Sequence, residues 1–350
     1  MKYRKCISLS YGKKNISSSI ELKLNKILKV IYNSINICSK MTIQKPILKW
    51  VGGKTQLLSH ILERVPTQMN NYHEPFIGGM SVLLGILVYQ KDKKINIDGS
   101  IYAYDLNKDL IHLYKNIQDL HIELFEATKI LIDTYNSIDC LKLEIDKKNK
   151  TKTKNTIDDS LKSKERYYYW IRNRYNKLSD TDRIGLTGSS MFIFLNKTCF
   201  RGLYRVGPNG FNVPFGNYKS PTILNENHLS IIHSLIKDVI FLHMDFKESL
   251  LTTSEGDFIY LDPPYVKENE TSFVSYNKEG FGENENNKLF ELIESLSSED
   301  KKIMMSNSNA CKLYEKFDTA KYKLFSVNAS RRINSKNPES TTKELIIMNY

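Results

Sequence analysis

From Met41 onward, short apolar runs alternate with stretches whose apolar positions recur at helical spacing, the pattern of an α/β sheet. NYHEPF, IGG and MSVLLGILVYQ read as strand, glycine turn and helix. SIYAYD is a second strand ending in Asp105, and LNKDLIHLYKNI carries the helix that follows it. DVIFLHMD and DFIYLD are two more strands, each closing on an acid, and KKIMMSN is another. YKLFSV and KELIIMNY read as a closing antiparallel pair.

Between Asp105 and Asp245 the strand signal fades. Residues 117–140 and 161–178 have helical spacing, and the polar run DKKNKTKTKNTIDD between them has the composition of a loop. FIFLNKTCFRGLYRVGPNGFNVPFGNY is dense in Gly, Asn and aromatics and reads as turn-rich. The predicted organisation is one sheet domain, residues 41–116 and 225–350, interrupted by a helical, loop-rich insertion at 117–224. Residues 1–40 read as a basic extension without fixed structure, with 20–37 as its one candidate helix.

Composition narrows the class. The chain has 350 residues, 41% hydrophobic and 11% aromatic, enough for a real core. It has no uncharged apolar run of ~18 residues, so no membrane span is expected. The five cysteines lie far apart with no C-x-x-C, which reads as reduced thiols in a cytoplasmic or other reduced compartment. The spacing a structural zinc needs is absent, so no metal is expected. Net charge is +12, but residues 1–40 hold nine Lys/Arg against one acid, leaving +4 for the other 310 residues. Bulk charge therefore does not by itself assign a nucleic-acid partner.

The candidate chemistry centres on DFIYLDPPYV. Ligands of a doubly wound sheet sit outside the carboxyl ends of its strands, and Asp262 falls at such an end. Pro263 and Pro264 stiffen the backbone there and contribute carbonyls without N–H donors. The Asp262 carboxylate and the Pro263 carbonyl form a pair of acceptors suited to an exocyclic amino group, and Tyr265 adds an aromatic face for a planar base. An isolated D-P-P-Y is equally a stop signal after a buried strand. EPFIGGMS places glycines between strand and helix, where backbone can approach a ligand. Asp105 is placed to accept from a ribose diol. G-x-G-x-x-G is absent, which weakens a dinucleotide reading, and Leu48 stands where a P-loop needs glycine before Gly53-Lys54-Thr55.

With these residues in order, the chain from about Lys45 to Tyr350 resembles the Dam-type family of adenine-N6 DNA methyltransferases, which use S-adenosylmethionine. KPILKWVGGKTQLL resembles the family's N-terminal cofactor motif, HEPFIGGMSV its glycine turn and YDLNKDLIHLY its ribose-binding strand end. LNKTCFRGLYRVGPNGFNVPFGNY resembles the DNA-facing segment, YLDPPY the catalytic loop, and RRINS with KELIIMNY the close. The resemblance implies a Rossmann-like methyltransferase sheet, with 117–224 as an inserted target-recognition domain. It implies that Trp50 and Lys54 contact the methionine part of the cofactor, with Phe76, Gly78 and Gly79 lining its pocket. It implies ribose binding by Asp105, an adenine neighbourhood at Asp245 and Phe246, and catalysis by Asp262, Pro263, Pro264 and Tyr265, with Asp262 also among the cofactor-binding residues. Transfer is then direct, from sulfonium to N6, with no covalent intermediate and no metal.

The implied partner is double-stranded DNA carrying a short motif, GATC being the leading expectation, with the adenine flipped out of the helix. Residues 196–219 hold Lys197, Arg201, Arg205 and Lys219 with no acid, interleaved with aromatics. On spacing alone this is as well a solvated basic loop. By resemblance, Arg205, Leu203 and Pro214 read bases, Phe200 wedges into the duplex, and Lys49, Arg201 and Tyr218 also face DNA. Arg331 and Arg332 are candidate phosphate contacts. A restriction endonuclease acting on the same site is a second implied partner, and a monomer is the default assembly. The chain departs from the family at Met80, in place of a second glycine, and at Arg201, in place of the bacterial Dam asparagine. Methylation of RNA or cytosine N4 remains an alternative, as does DNA binding without catalysis.

Overall fold

The computed structural model describes residues 42–138, 156–266, 281–330 and 341–350. The basic extension with its candidate helix, most of the polar run, and Arg331 and Arg332 lie outside the described residues.

Each strand predicted from the apolar runs is present. They are β1 (Tyr72–Glu74), β2 (Ile101–Asp105), β3 (Val239–His243), β4 (Phe258–Leu261) and β5 (Lys302–Ser308), with β6 (Lys323–Ser330) and β7 (Thr341–Met348) as the antiparallel pair. Among the described residues they form one seven-stranded sheet in the order β3-β2-β1-β4-β5-β7-β6. β1 to β5 are mutually parallel, and β7 runs against both neighbours. The strand order reverses between β1 and β4, so a crevice opens beyond their carboxyl ends.

Central strands of such a sheet are covered on both faces and need not alternate. Phe258 to Leu261 are all fully buried, and Leu261 joins Ile259, Phe246, Leu289, Ile293, Leu313 and Leu345 in one core cluster. β1 is buried although its side chains are polar, because each is paired. Tyr72 donates to Glu74 at 2.7 Å, and His73 lies 3.0 Å from both Asp257 and the Tyr104 hydroxyl. Unpaired, such groups would each cost about 1–3 kcal/mol.

Helices α1 (Ser81–Lys91) and α2 (Lys108–Asp119) follow β1 and β2. Asn107 caps α2 by accepting from the Leu110 N–H. The stretch read as helical at 117–140 is the end of α2 followed by α3 (His121–Ser137), and 161–178 contains α4 (Lys164–Asn176). The turn-rich reading of FIFLNKT is corrected: α5 (Leu186–Thr198) runs through it. Its residues Gly188 to Asn196 are all buried, so the segment has no polar face and no amphipathic period to read. Beyond it, α6 (Glu226–Ile236), α7 (Phe246–Leu251) and α8 (Glu283–Ser297) complete the cover of the sheet.

Candidate active site

The residues predicted to do chemistry stand at the carboxyl ends of β1, β2 and β4. Glu74 is the last residue of β1, Asp105 the last of β2, and Asp262 follows Leu261 directly. After β1 the chain turns sharply through Ile77–Met80, closed by the Met80 N–H donating to the Ile77 carbonyl at 2.9 Å. Gly78 sits at φ 44°, and a Cβ there would meet the Trp50 indole at 3.0 Å, so the indole lies directly on the turn. Met80 stands in this turn where the family has a second glycine. Met80 takes a left-handed φ of 65° to cap α1, and its side chain is fully buried.

Asp105 is half-buried, and each of its oxygens accepts one backbone N–H, from Gly78 at 3.0 Å and Asn107 at 2.8 Å. Burial pushes its pKa up to about 6 against those two hydrogen bonds. Phe76 and Phe246 stack with centroids 5.6 Å apart at the end of β3. Asp245 beside them caps α7, accepting from the Lys247 N–H at 2.9 Å.

Lys54 is the unexpected element. Expected to contact the cofactor, Lys54 pairs its ammonium with Asp262 Oδ1 at 2.7 Å, with the two side chains 4% and 19% exposed. It also donates to the Gly52 carbonyl at 2.5 Å and lies 4.7 Å from the centre of the Tyr265 ring. Its own N–H donates to Ser81 Oγ at 2.9 Å, tying this loop to the start of α1. Burial raises Asp262 to about 6, while Lys54 pulls it down. Glu74, which carried no predicted role, is pushed up to about 8 by burial, so it is largely protonated near neutrality. Its signal was present: it is an acid closing a strand, as Asp105 is.

Beyond Asp262, Pro263 is buried and Pro264 half-buried. The loop is fixed at its exit by β5: the Val266 N–H donates to Asn307 Oδ1 at 3.0 Å, and Ser308 Oγ donates to the Val266 carbonyl at 2.6 Å. The Tyr265 hydroxyl donates to Glu344 on β7.

The basic, aromatic segment after α5 is held to the same region. Lys49 and Asn196 exchange two hydrogen bonds of 2.8 Å, main chain to side-chain amide. Lys49 Nζ lies 4.2 Å over the Tyr218 ring, and Tyr218 accepts from the Arg201 N–H at 2.9 Å. Phe200 is 44% exposed, and its N–H donates to the Pro214 carbonyl at 2.8 Å. Arg201 and Gly202 both take positive φ, and a Cβ on Gly202 would fall 2.4 Å from Lys49 Cβ. Leu203 is half-buried, and Arg205 is exposed. Arg205 is aimed by Asn212, which accepts from Nε at 2.6 Å through its side chain and from Nη2 at 3.1 Å through its carbonyl. Lys197, in the last turn of α5, is lowered to about 8 by burial and by Lys49.

Sequence reasoning missed the struts between the two regions. Tyr204 packs 5.4 Å from Trp50, and its hydroxyl reaches Asp109 at 3.4 Å. Asp109 in turn holds Arg183 through three contacts of 2.8–3.1 Å and accepts from Tyr175 at 2.9 Å. Nothing in one sequence pairs residues so far apart.

The chain is 37% identical over 320 residues to the type II methyltransferase M.MjaIII of Methanocaldococcus jannaschii, covering 87% of this chain and 99% of that protein. It is 30% identical over 330 residues to the type II methyltransferase M1.LlaDCHI of Lactococcus lactis, covering 90% and 99%. It is 31% identical over 302 residues to the DNA adenine methylase of Haemophilus influenzae, covering 85% and 91%. Residues 50–333, spanning the Trp50 loop, the D-P-P-Y loop and the segment between them, match the D12 class of N6 adenine-specific DNA methyltransferases, and the chain belongs to that family.

Proposed function

We propose that the chain transfers the methyl group of S-adenosylmethionine to adenine N6 within a short duplex motif, with GATC the leading candidate, after flipping the base into the crevice beyond β1 and β4. The observation that carries this reading is the Asp262–Tyr265 loop, anchored at both ends beside the carboxylate of Asp105 and the Gly78 turn.

The residues at the strand ends fit the cofactor. Asp105 has one lone pair on each oxygen committed to backbone, leaving acceptor capacity for a ribose diol. Phe76 and Phe246 offer an apolar wall for an adenine ring, and Gly78, Gly79 and Trp50 line the way to the methionine end. Bound there, S-adenosylmethionine supplies an electrophilic methyl group on a sulfonium.

The chain's own residues then position the nucleophile. Lys54 occupies Asp262 Oδ1, so Oδ2 and the Pro263 carbonyl are the pair that accepts from N6. The Tyr265 ring stacks on the base. Hydrogen bonds from N6 to these acceptors draw its lone pair out of the ring and towards the methyl carbon. Ionised Asp262 offsets the positive charge that develops on nitrogen, in a site where few waters compete.

Residues 117–224 serve, in this reading, as the recognition insertion of a Rossmann-like methyltransferase. Arg205 reads a base edge, with Leu203 and Pro214 beside it. Phe200 fills the gap left by the flipped base, whose unstacking costs a few kcal/mol. Lys49, Arg201 and Tyr218 support it from the phosphate side. The enzyme acts as a monomer in a reduced, DNA-containing compartment, and a restriction endonuclease of the same specificity is its natural counterpart.

The test is methyl transfer from labelled S-adenosylmethionine to unmethylated DNA, with the modified sites sequenced and Asp262→Ala as control. Label on adenine N6 at one short motif, absent in the control, is the expected result. Label on cytosine or on RNA alone overturns the reading.

A further inference from the structure

Tyr265 is held from two sides. Its ring faces the Lys54 ammonium, 4.7 Å from the ring centre, and its hydroxyl donates to Glu344. Glu344 lies on β7 opposite Ser308 of β5. Ser308 in turn donates to the Val266 carbonyl at 2.6 Å. One rung of the sheet therefore fixes two consecutive residues of the D-P-P-Y loop, one by its side chain and one by its main chain. A tyrosine anchored only at its Cα is free to turn about two torsions; a charge-assisted bond at the far end of the ring removes that freedom.

Glu344 also belongs to the charge balance of the site. The titratable groups facing Asp262 are Lys54 from the N-terminal loop, Glu74 from β1, Tyr260 from β4, Tyr265 from the loop itself and Glu344 from β7. Lys54 favours the ionised carboxylate at Asp262, and Glu344 opposes it.

We propose that Glu344 is a positioning residue for methyl transfer: it orients the Tyr265 ring against the target base and, opposite Lys54, sets the charge of the acceptor cluster. The proposal rests on the reading that Asp262 and Tyr265 hold adenine N6, and it adds a residue from a strand that carries no chemical motif of its own.

The test compares Glu344→Ala, Glu344→Gln, Tyr265→Phe and the Glu344→Ala/Tyr265→Phe pair in the full chain, by single-turnover methylation of duplex DNA across pH. Glu344→Ala is expected to slow transfer by ~10–100-fold, the scale of a slightly misplaced reacting group, with cofactor and DNA dissociation constants almost unchanged. Glu344→Gln keeps the acceptor and removes the charge. It should retain more rate than the alanine variant while moving the acid limb of the profile to lower pH. The double variant should be no slower than the slower single one, since both changes delete the same bond. An acid limb that stays in place in Glu344→Gln, or additive losses in the double variant, overturns the proposal. Wild-type protein that fails to methylate DNA would instead sink the reading of the site, and this inference with it.

Discussion

The D-P-P-Y loop and the segment carrying Arg205 are both irregular chain between regular elements, yet they are held by different physics. The loop is fixed by charge in low dielectric: Lys54 against Asp262, and Tyr265 against Glu344. The Arg205 segment is fixed mainly through its main chain. Its main chain bonds to carbonyls and to the Asn196 and Tyr218 side chains, its sharp turn has a left-handed Gly202, and Arg201 and Arg205 are exposed. The first arrangement suits a site whose task never changes. On the proposed reading, the second keeps a rigid frame under side chains that can be exchanged to read another sequence.

That contrast can be broken most severely at Asp262. Asp262→Ala should lower single-turnover methylation by ~10³-fold or more, the scale of losing a preorganised electrostatic group, while S-adenosylmethionine binding by calorimetry stays near wild type. Loss of cofactor binding in that variant would mean that Asp262 also serves the cofactor site. Arg205→Ala should cost ~1–3 kcal/mol and relax preference at one base pair, measured by methylation of substrates substituted at each position. Equal weakening on all sequences would make Arg205 a phosphate contact. Acid should act on the loop and spare the recognition frame. Asp262 must be ionised to accept from N6, and its pKa is about 6, so kcat/KM should fall roughly tenfold per pH unit below that value while DNA affinity changes little. A profile flat to pH 5 would remove ionised Asp262 from the mechanism. The smallest effect is expected at Asn196→Ala. It frees the Lys49 main chain and should cost ~1–3 kcal/mol in urea unfolding, lowering site preference without slowing transfer at saturating DNA.

The two regions were also unequally legible in the sequence. Strands ending in acids announced Asp105 and Asp262, because an apolar run stopped by a carboxylate is a local signal. Glu74 carries the same signal as the last residue of β1. α5 was invisible because a helix buried on every side has no polar period. The Lys54–Asp262 pair spans more than two hundred residues, and Asp109–Arg183 links a helix of the sheet to a helix of the central segment. Such pairs belong to the fold and leave no mark within a window of one sequence. The Arg205 segment showed its basic and aromatic content plainly, but the asparagine that aims the guanidinium, Asn212, looked like any other loop residue.

The position of β7 has a consequence for how the molecule is made. It lies between β5 and β6, although both are synthesised before it. When the ribosome has delivered β6, the place beside β5 is still vacant, and the edge of β5 is exposed until residues 341–348 emerge. The strand that fills this gap also brings Glu344 to Tyr265. Sheet closure and the last fixing of the D-P-P-Y loop are then a single late event, so a nascent chain stopped short of β7 carries the loop without its final restraint.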